Sequence, residues 1–335
     1  MRRLLPAVLL VSTAAIAYEI LLMRMLSIVQ WHHFAYMVIS LALLGYGASG
    51  TAIALGRNWL APHFAGAVAA CALLFSVTMA GCWALGQQIP FNALEVVWNP
   101  RQLLLLGAMY LLFMVPFFFA AACIGLAFTF RSEMAGRIYL FDLFGAGTGA
   151  VLVITLLFFL PAQQALVLLS LLALSAALIA GSGKVLRLSA IAWAALLVAG
   201  LQSGLFDPAP SEFKSLSKSL QTTGSGVVTG RSSPLGLLTV VQSPTVPFRH
   251  APGLSMATRY TPPEQLAVFR DGDGMSVVNR WSGNEPPPGY LGDMTSALPY
   301  HLLDSPRVLI LGAGAGSDVL QAIRHGASYL SLIHI

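Results

Sequence analysis

Seven long apolar runs, almost free of charge, constrain this chain more than any other feature. They fall at residues 4–23, 34–55, 64–85, 103–130, 138–160, 165–181 and 188–206. A helix needs about 20 apolar residues, at roughly 1.5 Å each, to cross the hydrocarbon core of a bilayer. Each run meets or approaches that length, so residues 1–206 are expected to form a helical membrane domain. The whole chain is 57% hydrophobic and 9% charged, against about 25% charged in ordinary soluble domains. Pro116 lies inside the longest run, which predicts a helix that is tilted, kinked or partly re-entrant.

The charges that remain are unevenly placed. Residues 1–206 carry nine Lys/Arg and four Asp/Glu, whereas residues 207–335 carry nine of each. The basic excess therefore belongs to membrane loops, where it sets topology, and no nucleic-acid partner is expected. Arg2, Arg3, Arg57, Arg131, Arg137, Lys184 and Arg187 fall at one end of the successive runs, and only Arg24 and Arg101 at the other. The positive-inside rule then puts the N-terminus in the cytoplasm. Seven spans would carry residue 207 to the outside. A cytoplasmic C-terminal part instead needs an even number, with the fourth or the seventh run miscounted.

Within the membrane half, Arg2-Arg3 and Ala15-Ile-Ala17 imitate a secretory signal, but the apolar run continues to Met25. A retained first helix is the expectation. Glu19 and Asp142 are expected to cap or pair near the membrane interface, with Arg24 or Arg137 as cationic partners; a transport or substrate role for these charges is the alternative. His32-His33 reads as an interfacial pair. Cys71, Cys82 and Cys123 all lie in apolar runs, fit no zinc spacing and are expected to be buried free thiols. No metal site is expected.

From Asp207 onward Gly, Pro, Ser and Thr become frequent and apolar runs shorten to strand length. Residues 236–242 and 266–270 read as strands bounded by Ser233-Pro234, Ser243-Pro244 and Asp271-Gly-Asp-Gly274. Residues 207–300 thus read as a small β-rich unit, ending in a helix over 290–303. Residues 307–311 form a continuous apolar run, the pattern of a strand buried on both faces of a parallel sheet. A helix over 317–325 and a second strand from Tyr329 follow. One β-α unit cannot bury a doubly wound core, so residues 301–335 are read as the start of a nucleotide-binding domain cut short. Ser331-Leu-Ile-His-Ile335 resembles translated adapter sequence, and no site is placed on it.

Three glycine motifs need separating. Gly45-Tyr-Gly-Ala-Ser-Gly50 and Gly145-Ala-Gly-Thr-Gly149 lie inside apolar runs with no strand before them, so close helix packing in lipid is expected of them. Gly312-Ala-Gly-Ala-Gly316 has a strand before it and a helix after it. Glycines let the backbone turn sharply and approach a ligand, and the helix start supplies free N–H groups. The G-x-G-x-G form suits an adenosyl-methionine type ligand, which has no pyrophosphate. The acidic residue that would hold the ribose falls at Ile333-His334.

With that motif placed, the chain resembles membrane-anchored relatives of spermidine synthase. Tyr18-Glu-Ile-Leu-Leu-Met-Arg24 is similar to the first-helix signature of those proteins, and Tyr139-Leu-Phe-Asp-Leu-Phe-Gly-Ala-Gly-Thr-Gly149 to their aspartate–glycine helix. Ser232-Ser-Pro-Leu-Gly236, Ala251-Pro-Gly-Leu-Ser255, Phe269-Arg-Asp-Gly-Asp-Gly274 and Ala297-Leu-Pro-Tyr300 resemble their β-rich pre-domain. The resemblance implies a Rossmann-like domain of the S-adenosylmethionine-dependent transferase kind. It also implies transfer of an aminopropyl group from decarboxylated S-adenosylmethionine to an amine. The family's catalytic carboxylate lies in a loop after the fourth strand, past residue 335, so the resemblance names no catalytic residue here.

Ligand contacts implied within the chain are Gly312, Gly314, Gly316, Asp318, Tyr290 and Asp293. Tyr290 matches a family tyrosine, and Asp293-Met294 stands where the family has Glu-Met. Three other positions depart. A family histidine falls on Ala297, a glutamine on Met275 or Val277, and an aspartate on Ala315. These departures weigh against spermidine synthesis itself and leave adenosyl-ligand binding in place.

Two functions are therefore expected. One is a membrane-bound aminopropyl- or methyltransferase with S-adenosylmethionine or its decarboxylated form as donor, inactive as this fragment. The other is a transporter or sensor whose soluble part binds a polyamine or nucleotide-like ligand without turnover. The expected setting is a bacterial inner membrane, with the soluble part in the cytoplasm and the lipid bilayer and a small amine as partners.

Overall fold

The structure is a computed structural model that describes residues 3–31, 34 and 36–333. His32-His33 and the ribose-binding position at His334 lie outside the described residues. The chain divides into two units, one of residues 1–209 with 232–234, the other of residues 210–231 and 235–335.

The first unit is a bundle of seven long helices: α1 (Leu4–Val29), α2 (Met37–Leu60), α3 (Phe64–Gly86), α4 (Pro100–Phe130), α5 (Ala135–Phe159), α6 (Ala162–Ala180) and α7 (Lys184–Gln202). All seven are long and apolar enough to cross a membrane. The multi-pass membrane expectation is met at this level, and the fourth and seventh runs are both true helices. No break occurs at Pro116, because α4 is one helix of 31 residues, long enough to cross a bilayer with tilt.

α1 is the central element. It runs unbroken through Ala15-Ile-Ala17, and Val11, Ala14, Tyr18, Leu21, Leu22 and Met25 are fully buried among the other helices. Its closest approach is to α5. A Cβ added at Gly145 would lie 2.5 Å from the carbonyl oxygen of Leu9, and one added at Gly149 would lie 2.3 Å from that of Thr13. Glycine is needed at both positions because backbone faces backbone there. Across the same seam, Ser12 Oγ donates to Asp142 Oδ1 and the Thr13 and Thr148 hydroxyls lie 3.1 Å apart. In the other motif only Gly45 packs closely, against Phe117, whereas Gly47 and Gly50 have open space around them.

Among the described residues, neither Glu19 nor Asp142 forms the expected ion pair. Asp142 takes its hydrogen bond from Ser12, and Arg24 Nη1 donates to Ser27 Oγ at 3.0 Å. Burial of the seam lets a hydroxyl on the adjoining helix reach Asp142. All three thiols are free, with Cys82 and Cys123 buried.

α7 is fastened by hydroxyls as well as by packing. Ser76 and Ser170 exchange hydrogen bonds between α3 and α6, and Trp193 Nε1 of α7 donates to Ser76 Oγ at 3.0 Å. The two ends of the bundle are marked by contacts between loops. At one end Arg131 lies over the Phe64 ring. At the other, Trp83 Nε1 donates to Phe206 O and Ala209 N to Gln87 Oε1, both at 3.0 Å.

The second unit starts with the short α8 (Ser215–Leu220), then β1 (Gly226–Ser233), β2 (Gly236–Gln242), β3 (Gln265–Arg270) and β4 (Asp273–Asn279) in sheet order β1-β2-β3-β4. Asp271 and Gly272 both have positive φ (54° and 75°), which makes the two-residue β3–β4 turn the kind that matches strand twist. Leu216, Val241, Ala267 and Phe269 form the small core. Lys214, 2% exposed, reaches from just before α8 to donate from Nζ to Asp271 O at 2.6 Å.

Residues 290–303 are not one helix. They form short 3₁₀ turns at Gly289–Asp293 and Thr295–Ala297 and then α9 (Leu298–Leu302). The break is at Met294, which is extended so that it can bridge to Leu254, with Ser255 N donating to Asp293 O and Thr295 N to Gly253 O.

Last come β5 (Arg307–Leu311), α10 (Ser317–Arg324) and β6 (Tyr329–Ile333), with β5 and β6 paired in parallel register. β5 is not buried on both faces. Ile310 is buried, but Leu309 and Leu311 are 57% and 62% exposed.

The α1–α5 seam makes a direct prediction. Gly149→Leu should destabilise the detergent-solubilised protein by about 1–3 kcal/mol through overpacking against backbone, read as a lower midpoint in thermal unfolding. Gly147→Leu, at a position with nothing within 4 Å, should leave the midpoint unchanged.

Candidate functional site

The glycine loop connects the end of β5 to the start of α10. Gly312, Gly314 and Gly316 all have positive φ, at 71°, 53° and 90°. An added Cβ at Gly312 or Gly316 would meet nothing within 4 Å. Glycine is therefore required by backbone conformation, and the space around the loop is open. A side chain in that region costs roughly 1–2 kcal/mol per residue. Gly312 N donates to Ile333 O at 2.8 Å, which ties the loop to the end of β6.

A cavity of about 280 Å³ lies over this loop. Gly312, Gly314, Asp318 and Tyr290 line it, as do His250, Met275, Val277, Met294, Ala315 and Ser317. Gly316 stands behind them as the residue that caps α10. Asp293 does not line the cavity; its Oδ2 accepts from Thr258 Oγ1 at 2.6 Å. Of the positions where the chain departs from its resembled family, Met275, Val277 and Ala315 face the cavity, while Ala297 is fully buried elsewhere. Asp318 sits in the first turn of α10, where its charge complements the helix dipole and opposes a phosphate.

Behind the cavity wall lies a buried polar network. Tyr290 Oη donates to Asn279 Oδ1 at 2.7 Å, and Gln265 Nε2 donates to the same oxygen at 3.0 Å. Asn279 Nδ2 donates to Ser317 Oγ at 3.2 Å, and Ser317 Oγ donates to Val277 O at 3.2 Å. Gln265 also clasps the backbone of His250, accepting from its N at 2.7 Å and donating to its O at 3.2 Å. Gln265, Asn279 and Tyr290 are all buried. One network thus sets the positions of His250, Tyr290 and the first residue of α10. Burial pushes the Tyr290 phenol up, opposed by its hydrogen bonds to Asn279 and Gln265, and burial pulls the His250 imidazole down.

Sequence reasoning missed His250, Ser317 and the network. Ser317 was detectable, since it directly follows the glycine motif. His250 lies in the irregular stretch between β2 and β3, where no periodicity exists to point at it. A second cavity, of about 470 Å³, adjoins β5 and α9; Asp318 borders both. No protein family, curated protein or solved structure matches the chain.

The network predicts that Asn279→Leu deprives the buried Tyr290 hydroxyl of its acceptor. The cost should be about 1–3 kcal/mol, measured as a lower unfolding midpoint of the second unit.

Proposed function

We propose that the glycine loop holds an adenosyl-type ligand, S-adenosylmethionine or its decarboxylated form, in a Rossmann-like domain of a membrane-anchored, spermidine synthase-like protein. The observation that carries this reading is the open cavity over three left-handed glycines, with Asp318 and Tyr290 on its wall. Loop N–H groups and the start of α10 would face the ligand's polar edge, and Asp318 would accept from its hydroxyl or amine groups. A carboxylate here disfavours nucleotides carrying phosphate and suits a ligand without one. In the transferase form, an amine nitrogen attacks the carbon beside the sulfonium, the C–S bond breaks and a neutral thioether leaves. The proton lost by the amine needs a base, and only His250 and Asp318 carry titratable groups other than Tyr290 on the cavity wall.

A second reading is a sensor that binds the ligand without turnover, and two observations favour it. Met275 and Ala315 put apolar surface where the resembled transferases have polar contacts. Seven crossings would carry the chain to the end of the bundle opposite Arg3, Arg57, Arg131, Arg137, Lys184 and Arg187. By the positive-inside rule that end is not cytoplasmic, whereas adenosyl donors are made in the cytoplasm. The transferase reading in a bacterial inner membrane requires a cytoplasmic glycine loop; the sensor reading does not.

Calorimetry with S-adenosylmethionine on the detergent-solubilised chain tests the shared premise. Binding is expected, and Asp318→Asn should weaken it by about 10- to 100-fold, the range for losing a charged hydrogen-bond partner. Absence of binding by the intact chain overturns both readings. Product formed from an added diamine and decarboxylated donor selects the transferase and excludes the sensor.

A further inference from the structure

Besides the bond from Arg324 to Pro287 O, α10 is held at three places, and only one of those three titrates near neutral pH. At its start, Ser317 is fixed by Asn279. In its middle, Gln321 Nε2 donates to Leu291 O at 2.7 Å and to Ser296 Oγ at 3.1 Å. At its end, the His325 ring stacks on Tyr300 of α9 with centroids 5.1 Å apart and planes at 15°. The His301 ring meets it edge-on at 5.0 Å and 82°. His301 Nε2 donates to Gly292 O at 3.0 Å, so the cluster also ties in the 289–293 turn. His325 Nε2 is buried and has no hydrogen-bond partner among the described residues.

A proton on His325 has no anionic partner in this cluster. The groups around it are His301 and Tyr300 from α9 and Arg324 from its own helix, whose guanidinium donates to Pro287 O at 2.7 Å. Asp293, in the facing turn, gives its carboxylate to Thr258. Asp318 lies at the far end of α10, nearly two turns away. The helix C-terminus favours a cation, but burial, His301 and Arg324 together hold the imidazole below its ordinary range.

We propose that His325 is an acid-sensitive latch: charging it releases the end of α10 from the 289–302 segment and loosens the helix that carries the glycine loop. The latch is a property of the ring cluster. Its meaning as regulation of ligand binding rests on the adenosyl reading above.

The sign follows from linkage. Above the ordinary histidine value of about 6.5, His325 is neutral whether latched or released, and the latch is fully closed. Below it, the released form takes a proton that the latched form resists. Closure then weakens by up to about tenfold per pH unit until the lowered value is reached.

Hydrogen exchange of the full chain in lipid nanodiscs, without ligand, reads this directly. Between pH 7.5 and 5.5, after correction for intrinsic exchange, protection over residues 317–325 should fall up to about tenfold relative to β2 and β3. His325→Phe keeps the stack on Tyr300 and removes the proton, so its protection should not change with pH. His301→Gln keeps the bond to Gly292 O and removes one repelling charge, so its loss should be smaller than that of the unsubstituted chain. The second variant serves if His325→Phe fails to fold. Unchanged protection in the unsubstituted chain, or full loss in whichever variants fold, overturns the latch. Failure of adenosyl binding leaves the exchange result intact, so the two proposals fall separately.

Discussion

Lipid offers no hydrogen-bond partner, so a backbone crossing a bilayer must satisfy its own N–H and C=O groups. Everything in the first unit follows from that constraint. It makes each apolar run a helix, and it removes the hydrophobic effect as the force that joins helices, leaving close contact and interhelical hydrogen bonds. The α1–α5 seam uses both. Gly145 and Gly149 admit the backbone of α1, and the Ser12–Asp142 and Thr13–Thr148 pairs close the polar groups that the approach exposes. The Ser76–Ser170–Trp193 contact fastens α7 in the same way.

In the second unit water competes for every polar group, and the balance is different. The apolar core around Val241, Ala267 and Phe269 is small. Order there depends on a few buried polar contacts placed between elements. Lys214 fixes the β3–β4 turn, and Asn279 joins the sheet to the first residue of α10. The glycine loop takes its shape from glycine φ angles, from the bond between Gly312 N and Ile333 O and from that anchor at Ser317.

Much of this was legible in the sequence, and the reasons differ by element. Helices α1 to α7 were readable because length and apolarity alone define a span. β2, β3, β5, α10 and β6 were readable from period and flanking turns. β1 was not, since Gly226, Gly230, Ser232 and Ser233 dilute its pattern, and β4 begins inside the Asp-Gly turn that ends β3. The helix expected over 290–303 failed because Met294 is recruited by Leu254, a partner 40 residues away that no local pattern reveals. Ion pairing of Asp142 failed for a similar reason, since Ser12 lies on another helix. In the candidate site the glycines, Asp318 and Tyr290 were visible as motif positions. The Gln265–Asn279–Ser317 chain was not, because it exists only once sheet and loop are in register.

Seven helices are long and apolar enough to cross a membrane, and seven crossings would carry the chain out of the bundle opposite its N-terminus. The Trp83–Phe206 and Gln87–Ala209 contacts put residue 209 at the end where α3 finishes, and the Arg131–Phe64 contact marks the other. Paired fusions of green fluorescent protein and alkaline phosphatase after residues 182 and 209, expressed in a bacterial inner membrane, test this most directly. Seven crossings should give a fluorescent, phosphatase-inactive fusion at 182 and a dark, phosphatase-active fusion at 209. The same behaviour at both positions would contradict seven crossings.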